Sequence, residues 1–136
     1  MKVTGLDHVA LAVESIDKAR PFFEQVLGLP VRTIAEVPEQ GVRIAFIDAG
    51  RCRLELLEPL DEDGAVARFL ARRGPGLHHI ALAVDDIQAA RSELDKAAPG
   101  LAVGQGTAPA AFGRRAVFLN PKRSFGALIE LYGKED

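Results

Sequence analysis

An internal repeat limits the fold of this chain more than any other feature of its sequence. The segment His8-Val9-Ala10-Leu11-Ala12-Val13 recurs 71 residues later as His79-Ile80-Ala81-Leu82-Ala83-Val84. A second match pairs Leu54-Glu55-Leu56-Leu57 with Ile129-Glu130-Leu131-Tyr132, at an offset of 75 residues. Because the matches come in the same order in both halves, we expect two copies of one structural unit.

Each copy has the pattern of a βαβββ unit. An alternating strand (7–13; 77–84) leads to a helix that Ser15 or Asp86 caps, and Pro21 predicts a kink in the first helix, unless its first turn is a cap beginning near Asp17. Apolar residues at helical spacing predict a connecting helix over 65–73. Three strands should follow each capped helix, at residues 31–35, 42–48 and 52–58, and at residues 101–104, 115–120 and 126–132.

These elements predict an α+β fold. Two tandem βαβββ modules should form a curved, cup-like mixed sheet with the helices on the outside. At 136 residues the chain is expected to be a single domain, 1–136. Module one should span about 5–60, the connecting helix about 64–73 and module two about 77–133.

Strand alternation separates four polar side chains from the apolar residues around them. His8 and His79 oppose the apolar residues of their strands, and Glu55 and Glu130 do the same in theirs. If the apolar rows cover the helices, all four side chains project from the concave side of the sheet. A lone strand histidine is usually structural, but the duplication favours a site for a divalent transition metal with positions open to a substrate.

Charge and cysteine content exclude several classes of protein. Seventeen Lys+Arg against nineteen Asp+Glu, with the basic residues in scattered pairs, disfavour nucleic-acid binding. The single cysteine, Cys52, cannot form an internal disulfide, and its position favours packing over nucleophilic chemistry. The longest uncharged stretch, 97–113, is too short and too rich in Gly and Pro to cross a membrane. With no signal-peptide pattern at the N-terminus, the cytoplasm is the expected location.

The sequence resembles the methylmalonyl-CoA epimerase family of the vicinal oxygen chelate superfamily. The resemblance covers essentially the whole chain and is most specific between Glu58 and His79. It is carried by the repeated His-Val/Ile-Ala strand and by the segments Pro38-Glu39-Gln40-Gly41-Val42, Leu54-Glu55-Leu56-Leu57-Glu58-Pro59-Leu60, Val66-Ala67-Arg68-Phe69-Leu70, Gly76-Leu77-His78-His79-Ile80-Ala81, Asn120-Pro121-Lys122 and Gly126-Ala127-Leu128-Ile129-Glu130-Leu131.

This resemblance implies a chemistry of 1,1-proton transfer through an enolate. It implies one divalent ion per chain, Co²⁺ with Zn²⁺, Ni²⁺ or Mn²⁺ as alternatives, an acyl-CoA substrate and a homodimer. Its metal positions fall on His8, Glu55, His79 and Glu130, and Glu130 matches a position that serves as both ligand and base. The internal repeat then suggests Glu55 as the second base, on the opposite face of the substrate.

Three positions depart from the family pattern. Asn120 replaces a frequent histidine, Phe125 stands where a small residue is common, and Ile44 occupies the position of a catalytic glutamate in some bacterial members. Some members also carry Gln where this chain has Glu55.

Other residues and other functions stay open. Basic residues that could meet the phosphates of the acyl-CoA are Arg114, Arg115, Lys122 and Arg123, although a solvated basic edge explains them slightly better. His78 has the parity of the core face and is expected to be structural or to support the ligands. The alternatives are a lactoylglutathione lyase of the glyoxalase I type and a metal-free small-ligand-binding or resistance protein of the same fold. A ring-cleaving dioxygenase is disfavoured, because its iron site needs two His and only one carboxylate.

Overall fold

The structure, a computed structural model, describes residues 1–135 and divides into two compact units. The first unit comprises His8–His78, and the second unit comprises Met1–Asp7 together with the chain from His79 onward. Strand β1 (Val3–Ala12) therefore contributes residues to both units. At its start, Thr4 donates a hydrogen bond from Oγ1 to the Ala83 carbonyl oxygen of the second unit (3.3 Å).

The first unit has the predicted order of elements. In the sheet, its strands lie in the order β2-β3-β4-β1, with β1 parallel to β4 and the other pairs antiparallel. Its elements after β1 are α1 (Ile16–Pro21), a π-helical turn (Phe22–Val26), β2 (Val31–Val37), β3 (Val42–Ala49), β4 (Cys52–Pro59) and α2 (Ala65–Arg73).

Helix α1 begins and ends where its sequence dictates. The Ser15 side chain caps it by accepting a hydrogen bond from the Lys18 backbone N–H (3.2 Å). The α-helical geometry stops at Pro21, which has no N–H to donate to the preceding turn, and the chain widens into the π-helical turn. Gly28, with φ of 69°, follows immediately and leads the chain out. The conflict posed by Pro21 is thus resolved by a change of helix type.

The second unit repeats the plan. Its elements are β5 (Gly76–Asp86), α3 (Ile87–Ala97), β6 (Ala108–Pro109), β7 (Arg115–Phe118) and β8 (Ile129–Lys134). The strand order is β5-β8-β7-β6, with β5 parallel to β8 and the other pairs antiparallel. The Asp86 carboxylate caps α3 by accepting hydrogen bonds from the Gln88 and Ala89 N–H groups (3.0 and 3.1 Å).

The prediction of a strand at residues 101–104 is wrong. Ala102 forms only an isolated bridge with Leu119, and β6 starts at Ala108. Gly104 and Gly106 have φ of 71° and 61°, values that a strand does not accept, so the segment turns instead of extending.

The two capped helices, α1 and α3, pack on the apolar rows of the strands in their own units. In the first unit Ile16 and Phe23 contact a cluster that includes Leu56 and Ile47. In the second unit, α3 packs its apolar face on the corresponding residues of β5, β7 and β8. Within residues 1–135, no helix combines the length and the apolar character that crossing a membrane requires. The single-domain organisation with its module boundaries stays a prediction.

Candidate functional site

The two units hold a His–Glu pair at the same place in their ladders. The parallel pairing of β1 with β4 sets Ala10 opposite Glu55, and that of β5 with β8 sets Ala81 opposite Glu130. A histidine stands two residues before each alanine and so shares its face of the sheet. Each histidine therefore points to the same side as the glutamate of the neighbouring strand.

Within each pair the side chains are close and buried. Nδ1 of His8 lies 3.1 Å from Oε2 of Glu55, and Nε2 of His79 lies 2.8 Å from Oε2 of Glu130. All four residues are 6% exposed or less. Burial of a carboxylate is costly unless it has partners. In each unit the neighbouring histidine is such a partner for the buried glutamate.

The helices lie on the other face of the strands. Leu11 and Leu56 pack against the core under α1, while Leu82 and Leu131 pack against the core under α3. These residues alternate with the histidines and glutamates along their strands. The alternation derived from the sequence is therefore confirmed within each unit: the polar pair occupies the face that the helix leaves open.

An aromatic residue accompanies each pair, and the sequence reading missed it. Phe46 stands opposite Glu55 in the β3–β4 ladder, and Phe118 stands opposite Glu130 in the β7–β8 ladder. The Phe118 ring meets the His79 ring edge to face, with centroids 5.6 Å apart. The repeat carried the signal, because these phenylalanines are 72 residues apart, within the range of the other offsets.

A cation distinguishes the first pair from the second. Nη2 of Arg53 donates a hydrogen bond to Oε2 of Glu55 (3.0 Å), and the guanidinium lies 5.5 Å from the centroid of the Phe46 ring. The position two residues before Glu130 is Leu128, which carries no charge. The sequence analysis also missed Arg53. Its position two residues before the ligand candidate Glu55, and therefore on the same face of the strand, could have drawn attention to it.

The donor atoms fit a divalent ion. Two atoms that bind one ion at about 2.0–2.2 Å, at angles from square to tetrahedral, lie roughly 2.8–3.6 Å from each other. The His8–Glu55 and His79–Glu130 separations of 3.1 and 2.8 Å match that spacing closely. Imidazole nitrogen and carboxylate oxygen are also ligands that first-row transition metals accept.

The other residues singled out in the sequence have structural surroundings. His78 stacks edge to face on Phe69 of the connecting helix, with centroids 5.0 Å apart. Cys52 is half-buried, and its Sγ donates to the carbonyl oxygen of Arg53 (3.4 Å). Ile44 is buried and stands opposite Leu57.

The four basic candidates for phosphate binding differ in their contacts. Arg115 donates to the side chain and carbonyl oxygen of Thr107, and Arg123 donates to the Pro99 carbonyl oxygen, so both brace the second unit. Lys122 is exposed on a 3-10 turn that follows Asn120. The remaining candidate, Arg114, is half-buried.

Comparison with known proteins shows the class to which this fold belongs. The model of the Glyoxalase/Bleomycin resistance protein/Dioxygenase superfamily matches residues 7–118. Mitochondrial methylmalonyl-CoA epimerase of Homo sapiens is 38% identical over 127 residues, which are 93% of this chain and 72% of that protein. The ethylmalonyl-CoA/methylmalonyl-CoA epimerase of Cereibacter sphaeroides is 38% identical over 93% of this chain and 95% of that protein.

A solved structure agrees with the sequence matches. A variant of Streptomyces coelicolor methylmalonyl-CoA epimerase, in complex with 2-nitronate-propionyl-CoA, has a TM-score of 0.91 and 32% identity. The match covers 99% of this chain and 100% of that chain. This chain therefore belongs to the superfamily and, within it, to the methylmalonyl-CoA epimerase family. The predicted family and the α+β fold class are confirmed.

Proposed function

We propose that this protein interconverts the R and S forms of methylmalonyl-CoA, as an isomerase acting on an acyl-CoA. The observation that carries the proposal is the buried His–Glu pair, present once in each unit at the same ladder position. The family adds the substrate, because relatives at 38% identity are epimerases of methylmalonyl-CoA. No residue contact favours the lyase or the metal-free binding protein among the described residues 1–135.

We assign one divalent ion to the two pairs together. His8, Glu55, His79 and Glu130 would hold it, with Co²⁺ as the first candidate and Zn²⁺, Ni²⁺ or Mn²⁺ as alternatives. When bound, such an ion supplies Lewis-acid stabilisation of the negative charge that develops on the thioester oxygen. The spacing of donor atoms within each pair supports this assignment.

The carboxylates of the pairs are the proposed bases. One of them takes the proton from C2, the electron pair of the C–H bond moves to the thioester oxygen as an enolate, and a proton returns to C2 from the other face. Glu130 is the first base by the family resemblance. Glu55 is the second, because it occupies the ladder position that corresponds to Glu130 in the other unit.

Two further assignments remain proposals about the substrate and the assembly. Arg114 and Lys122 are the better candidates for the phosphates of the acyl-CoA, since Arg115 and Arg123 are engaged in hydrogen bonds within the second unit. The homodimer and the cytoplasmic location are predictions that rest on the resemblance and on the sequence.

Proton exchange in D₂O tests the proposed function directly. We expect the Co²⁺-loaded protein to replace the C2 hydrogen of methylmalonyl-CoA with deuterium, as followed by NMR. A sample treated with a chelator should exchange far more slowly. A folded, metal-loaded sample that leaves the hydrogen in place would reject this substrate, and the hemithioacetal of the lyase reaction would be assayed next.

The assignment of two bases is tested by the separate enantiomers. Glu55→Gln keeps the shape of the side chain but removes its basicity, so exchange should slow far more from one enantiomer than from the other. Glu36→Gln is the matched control, because Glu36 is exposed on β2 and its loss should leave both rates unchanged. Equal rates of exchange from both enantiomers in the Glu55→Gln protein would refute the two-base assignment.

A further inference from the structure

Two phenylalanines of the second unit have a backbone conformation that phenylalanine rarely adopts. Among residues 1–135, Phe112 and Phe125 are the non-glycine residues with positive φ, at 59° and 61°. In that region the Cβ crowds the following carbonyl oxygen, so the conformation costs stability. Phe125 is also fully exposed, so its ring adds nothing to the apolar core. An exposed ring on a strained backbone is typical of a residue that serves a ligand instead of the fold.

Hydrogen bonds hold the loop that carries Phe125 in one shape. The Gly126 N–H donates to the Pro121 carbonyl oxygen (2.8 Å), which closes the loop around Phe125. The Ser124 hydroxyl donates to the Ala127 carbonyl oxygen (2.8 Å). The backbone of Phe125 is thus fixed before any ligand binds, and a preorganised contact loses little entropy on binding.

This loop lies at the end of β8 that carries Glu130. It joins β7 to β8, and Glu130 is the second residue of β8. Phe125 and Glu130 are five positions apart, so their Cα atoms are at most about 18 Å from each other. The pantetheine arm of coenzyme A separates the thioester from the nucleotide by a comparable length. Phe112 precedes β7, whose first residue pairs with Gly133, so Phe112 lies toward the other end of β8.

The loop is also basic. Residues 119–129 include Lys122 and Arg123 and no acidic residue, and both basic side chains are exposed. An aromatic ring that stacks on a base, next to cations that meet phosphates, is a combination by which proteins bind nucleotide chains. Coenzyme A ends in a group of this chemistry, an adenine base with a 3′-phosphate and a pyrophosphate.

We propose that Phe125 is the platform on which the adenine base of the acyl-CoA stacks, with Lys122 beside it for the phosphates. This inference rests on the proposed function and deepens it, because it assigns the end of the substrate that takes no part in the proton transfer. Phe125 raises the affinity for the whole thioester and leaves the reacting atoms to the His–Glu pairs.

Two thioesters test this assignment by calorimetry, without turnover. Malonyl-CoA carries the nucleotide, whereas malonyl-pantetheine ends before the phosphates. In the Co²⁺-loaded protein, Phe125→Ala should weaken malonyl-CoA binding by about tenfold and leave malonyl-pantetheine binding within about twofold of wild type. Phe125→Tyr keeps a flat ring and should retain the wild-type affinity. Phe125→Leu is apolar but not flat and should behave like Phe125→Ala.

Three controls isolate the ring of Phe125. Phe22→Ala removes an exposed phenylalanine of the first unit and should leave both affinities unchanged. Phe112→Ala should likewise leave malonyl-CoA binding unchanged, and a loss caused by Phe112→Ala in place of Phe125→Ala would refute the assignment. Phe125→Gly relieves the backbone strain but should lose as much affinity as Phe125→Ala, which separates affinity from stability.

Other results would also overturn the inference. One is a malonyl-CoA affinity of Phe125→Ala within about twofold of wild type, and another is an equal weakening of both thioesters. If Phe125→Ala sediments as a smaller species than wild type, the ring lies between copies of this chain. In each of these cases the proposed function stands if wild type exchanges the C2 hydrogen in D₂O. A wild type that binds neither thioester would reject the proposed function itself.

Discussion

Replacement of Arg91 by methionine should destabilise the second unit by releasing the loop at residues 103–106. Arg91 is a buried residue of α3, only 8% exposed, and its guanidinium donates to the carbonyl oxygens of Gly104 and Gly106 (2.7 and 2.8 Å). Its Nε also donates to both carboxylate oxygens of Asp95. Methionine keeps the apolar stem and removes all of these bonds.

The structure sets the expected loss of stability. A hydrogen bond from a charged donor contributes about 1.5–3 kcal/mol, so the two short bonds from Arg91 to the Gly104 and Gly106 carbonyl oxygens should contribute about 3–6 kcal/mol together. A third bond, to the Val103 carbonyl oxygen, is longer (3.4 Å) and adds less. The loop residues Gly104 and Gly106 are exposed, and water can replace part of that contribution. The Asp95 side chain is 49% exposed and adds less than about 1 kcal/mol. We therefore expect Arg91→Met to lower the free energy of unfolding by about 3 kcal/mol.

Urea denaturation of the two proteins measures this loss, and the dependence on urea should keep its slope. The melting temperature should fall by roughly 10 °C for a chain of this size. Asp95→Asn is the matched control and should cost less than about 1 kcal/mol. Faster amide hydrogen exchange at residues 103–106 would locate the effect in the loop. If Arg91→Met costs less than about 1 kcal/mol, or if Asp95→Asn costs as much, the reasoning is wrong.

Three other substitutions test separate features of the structure. A Cβ at Gly133 would lie 2.6 Å from the carbonyl oxygen of Val84, so Gly133→Ala should cost about 2–3 kcal/mol in urea denaturation. Phe125 is fully exposed and has a φ of 61°, a backbone strain that only glycine relieves. The free energy of unfolding of Phe125→Gly should therefore exceed that of Phe125→Ala by about 1 kcal/mol. The hydrogen bond from Arg20 lowers the pKa of Glu24. The stability that this pair adds is therefore complete above the ordinary carboxyl pKa, and it is lost as the pH falls through the lowered pKa of Glu24. Glu24→Gln should therefore be less stable than wild type near neutral pH, and the difference should vanish in a titration to acid.

Much of the fold could be predicted because the signals were local. The caps Ser15 and Asp86, the helical spacing over Ala65–Arg73 and the alternation of the repeated strands each depend on neighbours along the chain. The strand expected at 101–104 failed because its course is decided by two glycines at positive φ and by bonds from Arg91, which lies on another element. A pattern of apolar residues carries no record of such a distant contact.

The sequence by itself determined the repeat and the starts of the two capped helices. It also determined the face on which His8, Glu55, His79 and Glu130 lie, because side-chain direction alternates along any strand. Only the tertiary structure decided that Glu55 stands beside His8 at 3.1 Å, with Arg53 bonded to the same carboxylate. These contacts depend on the parallel register of β1 and β4, whose paired residues are separated by some 45 positions in the chain. Register between distant strands follows from how the whole unit packs its apolar face, and that packing is a property of three dimensions.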